Sequence, residues 1–182
     1  MSVPSWTELG QTAATSPATF RLTTRVNGRP VDLVIQPQET LAEVLRERLQ
    51  LTGTKVSCDV QVCGACTVLV DGLPVSACTL LAYETRGRDV LTIEGLADRT
   101  ADHLHPLQQA FVDENGFQCG FCTPGMIMAA RSLLDASPDA SEEEIRAYMD
   151  GNICRCTGYR PILEAIRRAQ GGLQHQQRSV PG

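Results

Sequence analysis

Eight cysteines in 182 residues, at positions 58, 63, 66, 78, 119, 122, 154 and 156, constrain this chain more than any stretch of its hydrophobic pattern. They must either be cross-linked or be wrapped around metal centres, and the first twenty residues, MSVPSWTELGQTAATSPATF, bear on which. Those residues hold no Lys or Arg and no long apolar stretch, so the charged start and apolar core of a secretory signal are both missing. The chain is therefore expected in the cytoplasm, where thiols stay reduced and disulfides are rare. Spacing then becomes the guide.

Cys58, Cys63, Cys66 and Cys78 form CxxxxCxxC with a fourth cysteine after eleven intervening residues. This is the plant-type spacing for a 2Fe-2S cluster. Two irons bridged by two sulfides form an elongated object, so a looping segment is expected to wrap it while a strand supplies the last ligand. Structural zinc more often shows two separated CxxC knuckles.

The second set is a CxxC, Cys119 and Cys122, followed after thirty-one residues by a CxC, Cys154 and Cys156. Residues two apart on a regular helix face different directions, so this CxC must sit on a turn or a helix end for both thiols to reach one centre. Asn152 before it and Thr157-Gly158 after it support a turn. Cys119 and Cys122 precede an expected helix start at Pro124, where end amides favour negative charge. Taken alone, this spacing leaves zinc and iron-sulfur open; beside the first set, iron-sulfur is favoured.

The rest of the chain predicts an α+β fold in two parts. FRLTTRVNGRPVDLVIQP alternates apolar and polar residues around Asn27-Gly28, the signature of a hairpin. TLAEVLRERL follows with a capping box at Thr40 and Glu43 and an apolar face of Leu41, Val44, Leu45 and Leu49. TVLVDG, PVSACTLLA and DVLTIEGL read as short strands. From about residue 103 the pattern turns helical: HPLQQAFVDENG, TPGMIMAARSLLDA with Thr123 as N-cap, EEEIRAYM behind Ser141, and RPILEAIRRA. The expected division is a mobile tail over 1–17, a mixed-sheet domain over 18–97, a four-helix domain over 98–170 with the switch inside 96–103, and a second mobile tail over 171–182.

Three segments, CDVQVCGACTVLVDG, QCGFCTPGMIMAA and GNICRCTGYRPILEAI, resemble the three signatures of the small iron-sulfur subunit of molybdenum hydroxylases, the family of xanthine dehydrogenase, aldehyde oxidases and aerobic carbon monoxide dehydrogenase. The resemblance covers about residues 18–170. It implies a β-grasp, plant-ferredoxin-like domain and a four-helix-bundle domain, each with one 2Fe-2S cluster. It places Cys58, Cys63, Cys66 and Cys78 on the cluster nearer a flavin, and Cys119, Cys122, Cys154 and Cys156 on the cluster nearer molybdenum. Gln118 matches the family glutamine that hydrogen-bonds molybdopterin, and Cys156 lies where the helical domain approaches the pterin. The implied partners are a large subunit with the molybdopterin cofactor and a medium subunit with FAD, assembled as a dimer of heterotrimers. The implied function is electron transfer, with no substrate turnover by this chain alone. One departure stands out: Ser57, Val60, Gln61 and Val62 occupy a loop where the family carries glycines, so the amide hydrogen bonds to sulfur are expected to differ.

Other residues have plainer readings. Met126 and Met128 are expected in the core. His103 and His105 are expected to be structural or solvated, because cysteine fills every ligand place. The acidic run SEEE fits helix N-terminal electrostatics. A net charge of -5 without a basic cluster argues against nucleic-acid binding, and no run reaches the roughly 18 apolar residues of a membrane span. A free-standing ferredoxin and a zinc-stabilised interaction module are the alternative functions.

Overall fold

The structure, a computed structural model, describes residues 18–97 and 103–178. The expected N-terminal tail lies outside the described residues, as does most of the expected domain switch. Strand β1 (Phe20–Val26) turns back into β2 (Arg29–Ile35) through Asn27 and Gly28, both at positive φ (52° and 74°), the conformation of a two-residue hairpin turn. Leu22, Thr24 and Val26 alternate inward along β1 and set its face toward the core. β3 (Thr67–Val70), β4 (Leu73–Ser76) and β5 (Asp89–Leu91) complete a five-stranded sheet in the order β2-β1-β5-β3-β4. β5 runs parallel to β1 and antiparallel to β3, so the sheet is mixed.

The helix laid on this sheet starts where the capping box predicts. Thr40 accepts the Glu43 N–H, and the Glu43 carboxylate accepts the Thr40 N–H at 2.7 Å. The helix is irregular, however. A short α1 (Leu41–Glu43) widens into a π-helical turn over Val44–Arg48, closed by Leu49 N–H to Val44 O. The wider turn still buries Leu41, Val44 and Leu45 against the sheet.

The helical half has α2 (Pro106–Asp113), α3 (Thr123–Ala136), α4 (Glu142–Met149) and α5 (Arg160–Arg178). Ser141 and Glu144 cap α4 as expected, and the Ser141 N–H holds the Glu144 carboxyl below its ordinary range. Asn115, at φ 53°, ends the turn after α2, and Gly116 N–H reaches Phe111 O. Met126 and Met128 are fully buried among Leu107, Phe111, Ile145, Ile162 and Ile166.

Three local expectations need correction. α3 begins at Thr123 itself, with Cys122 in the N-cap place, and Thr123 Oγ1 is buried without a partner. α5 continues through Gly171 and Gly172 to Arg178, because two glycines weaken a helix without breaking it when no proline follows them directly. Cys78 lies in the turn just beyond β4, not on the strand, because the Thr79 and Leu80 N–H groups both fold back to Ser76 O.

The two halves meet on β3. Leu69 belongs to the helical core, and Ser132 of α3 donates to Gly72 O. The tightest point is Gly125 in the first turn of α3, where a Cβ would lie 2.2 Å from Gly64 O and 3.0 Å from Ala65 O. Only glycine lets this helix seat on the loop carrying Cys63 and Cys66.

Candidate metal centres

The loop from Cys58 to Cys66 solves the missing-glycine problem with side chains in strained positions. Asp59 and Gln61 take φ of 58° and 60°, and Gly64 takes 68°. A non-glycine residue there costs roughly 1–2 kcal/mol, less for Asp, whose side chain can bond locally. In return, backbone N–H groups turn toward one sulfur: Cys58 Sγ accepts from Val62 N at 3.3 Å and Cys63 N at 3.4 Å. The N–H of Val60, then those of Val62 and Cys63, pull the Cys58 thiol down to about 6, poised to be a thiolate. The corrugation also pushes Val60 and Val62 outward, 64% and 61% exposed. Gln61 accepts from Thr79 Oγ1 at 3.1 Å, which ties this loop to the turn holding Cys78.

Cys66 and Cys78 form the inner pair of this set. Both are buried in the core beneath the sheet, and burial pushes the Cys66 thiol up to about 11. Without a cation Cys66 stays protonated; a bound metal would supply the charge that deprotonates it.

The second set has the same two-by-two arrangement. Cys119 and Cys156 are exposed, with their sulfurs 3.6 Å apart. Cys122 and Cys154 lie deeper and contact each other, and burial drives the Cys122 thiol up to about 12. The CxC sits on the non-helical stretch between α4 and α5, as expected. Tyr159 fixes that stretch: its hydroxyl accepts the Cys154 N–H at 2.9 Å and donates to Asn152 O. Burial raises the Cys154 thiol, but the Thr157 hydroxyl and the N–H groups of Thr157 and Cys156 outweigh it, so the thiol lies below its ordinary value.

The two sets are joined directly. Ile153 N–H donates to Cys63 O at 2.9 Å, and the buried Asn152 Nδ2 donates to Gly64 O at 3.0 Å. Sequence reasoning took Asn152 only as a turn former; its partner lies 88 positions away, and nothing local signals that.

These donors fit 2Fe-2S clusters. Each set offers one outer and one inner pair of thiols, and a two-iron cluster takes two thiolates at each iron. Gln118 is exposed beside Cys119. His105 is structural: its Nδ1 accepts Leu107 N–H as the N-cap of α2, and Nε2 faces Arg131. His103 is exposed. No described helix is long and apolar enough to cross a membrane.

Known proteins resemble this chain over most of its length. Residues 24–91 match the family described as 2Fe-2S iron-sulfur cluster binding domain, and residues 92–167 match a second, described as 2Fe-2S binding domain. The small subunit of nicotine 6-hydroxylase from Paenarthrobacter nicotinovorans is 46% identical over 148 residues, covering 81% of this chain and 88% of that one. The small FeS subunit of nicotinate dehydrogenase from Eubacterium barkeri is 44% identical over 144 residues, covering 79% and 90%. A chain in the crystal structure of quinoline 2-oxidoreductase from Pseudomonas putida 86 superposes with a TM-score of 0.82 at 41% identity, covering 86% of this chain and 97% of that one. Two cluster-binding domains in this order, over nearly the full length of such relatives, make the chain a member of the small iron-sulfur subunits of the molybdenum hydroxylases.

Proposed function

We propose that this chain is the electron-transfer subunit of a molybdenum hydroxylase, lying between a molybdopterin centre in a large subunit and FAD in a medium subunit. The observation that carries the reading is the pairing of all eight thiols into two sets joined by the Ile153–Cys63 hydrogen bond. Cys58, Cys63, Cys66 and Cys78 hold one 2Fe-2S cluster, nearer the flavin. Cys119, Cys122, Cys154 and Cys156 hold the other, nearer molybdenum. When bound, the clusters supply one-electron redox chemistry.

The chain's own residues do the rest. The N–H groups of Val62 and Cys63 stabilise negative charge on Cys58. The sheet core keeps water from Cys66 and Cys78. Asn152 and Ile153 fix the spacing of the two ligand loops. The exposed pair Cys119 and Cys156 marks the end that meets the large subunit, with Gln118 there to bond the pterin. An apolar groove of about 310 Å³ lined by Leu104, Val112, Phe117 and Pro124 also takes in Gly120, next to Cys119, and suits a protein partner. The assembly is a dimer of heterotrimers in the cytoplasm.

Purification from cells expressing the neighbouring subunits tests this. The chain is expected to elute with molybdenum, FAD and two larger polypeptides. Elution as a lone chain with two intact clusters would instead make it a free-standing ferredoxin. Gln118→Ala should slow reduction by substrate while leaving both cluster spectra unchanged; loss of a cluster signal would make Gln118 structural.

A further inference from the structure

The segment CRCTGY carries two hydroxyls: that of Tyr159 is taken up by the Cys154 N–H and Asn152 O, and that of Thr157 is turned to a sulfur. Thr157 Oγ1 accepts the Tyr159 N–H at 3.2 Å, which leaves its own hydrogen free to point away from that bond. Cys154 Sγ lies in that direction, 3.2 Å from the oxygen. The geometry is held on both sides: Tyr159 OH grips the Cys154 and Asn152 backbone, and Gly158 and Tyr159 both take φ of 69°. Cys154 is 8% exposed, so water competes little for its sulfur, unlike that of the exposed Cys119 and Cys156. In the other set, Cys58 draws its donors from the backbone. A single side-chain substitution removes the Thr157 donor, whereas the Val62 and Cys63 N–H groups on Cys58 persist whatever their side chains.

A donor bonded to a ligand sulfur is worth more as that sulfur becomes more negative. Reduction adds one electron to the centre, and the sulfurs carry part of that charge, so such a bond favours the reduced form. We propose that Thr157 is a positioning residue that raises the reduction potential of the centre held by Cys119, Cys122, Cys154 and Cys156. This rests on the ligand assignment above. Valine reproduces the β-branched shape without the hydroxyl, and serine keeps the hydroxyl.

The test is a redox titration of the purified, iron-loaded complex, followed by the EPR signals of the two centres, for wild type, T157V and T157S. T157V is expected to lower the reduced-to-oxidised ratio of one centre at fixed ambient potential at least tenfold, about 59 mV for one electron. The other centre should hold its midpoint, and T157S should return the first toward wild type. A T157V ratio within twofold of wild type overturns the proposal. So does a T157V chain that loads no iron in that centre while T157S loads fully, because the residue would then serve assembly. A wild-type complex without iron would sink the ligand assignment itself, a result distinct from either.

Discussion

Replacing Gly125 with alanine tests how the helical half is seated on the Cys58–Cys66 loop. In an open helix this change stabilises by about 1 kcal/mol. Here the new Cβ would stand 2.2 Å from Gly64 O, which is 0.8 Å inside the 3.0 Å that real Cβ contacts respect. The obstacle is backbone and cannot rotate away. Gly64 O is also pinned by Thr67 N, Thr67 Oγ1 at 2.7 Å and Asn152 Nδ2 at 3.0 Å. Overpacking of this kind costs about 3 kcal/mol at the upper end of its usual range, so the net loss is about 2 kcal/mol. For a chain of this length that lowers the thermal midpoint by about 4–8 °C. Gly171 in α5 has nothing within 4 Å of its virtual Cβ, and Gly171→Ala should raise the midpoint by about 2–4 °C. Circular dichroism melts at one scan rate, with iron content measured alongside, give both numbers. A G125A chain as stable as wild type with full iron would refute the claim that this contact seats the domains.

Other expectations follow from the same geometry. Gln61→Gly should be nearly neutral, whereas Gln61→Val, β-branched at φ 60°, should cost about 1–2 kcal/mol and speed iron loss to a chelator. Asn152→Asp replaces a donor by an acceptor against Gly64 O and should cost about 2–3 kcal/mol, less at low pH where the carboxyl can donate. Burial first, then the Arg131 charge, lower His105 to about 4, so the folded chain binds fewer protons there than the unfolded one. That stabilisation is complete above about pH 6.5 and fades as pH falls toward 4. His105→Gln should flatten the difference, and the His105 ring signals in an NMR titration should stay neutral down to about pH 5.

Much of this was legible because it is local. Asn27-Gly28 and the Thr40–Glu43 and Ser141–Glu144 boxes each act within a few residues, and the CxxxxCxxC, CxxC and CxC runs are themselves local even where their sets span longer gaps. What escaped the sequence depends on distant partners or on backbone geometry. The π-helical turn at Val44–Arg48 goes unread because apolar periodicity cannot distinguish it from an α-helical turn. The Cys58 loop lacks the family's glycines, and nothing in its sequence says that Asp59 and Gln61 take the left-handed conformation in their stead. The lock of Asn152 on Gly64 and the fit of Gly125 against that loop join residues more than fifty positions apart. Thr157 did leave a signal, a hydroxyl three residues past Cys154, which only the observed turn makes readable.

Metal, sulfide and spin counting on one purified sample tests most directly whether the eight thiols hold two separate 2Fe-2S clusters. About four irons and four acid-labile sulfides per chain are expected. Full reduction should give two distinguishable EPR signals of one spin each, with Cys58→Ser perturbing one and Cys156→Ser the other. A colourless protein holding zinc, or one in which both substitutions disturb the same signal, would contradict that arrangement.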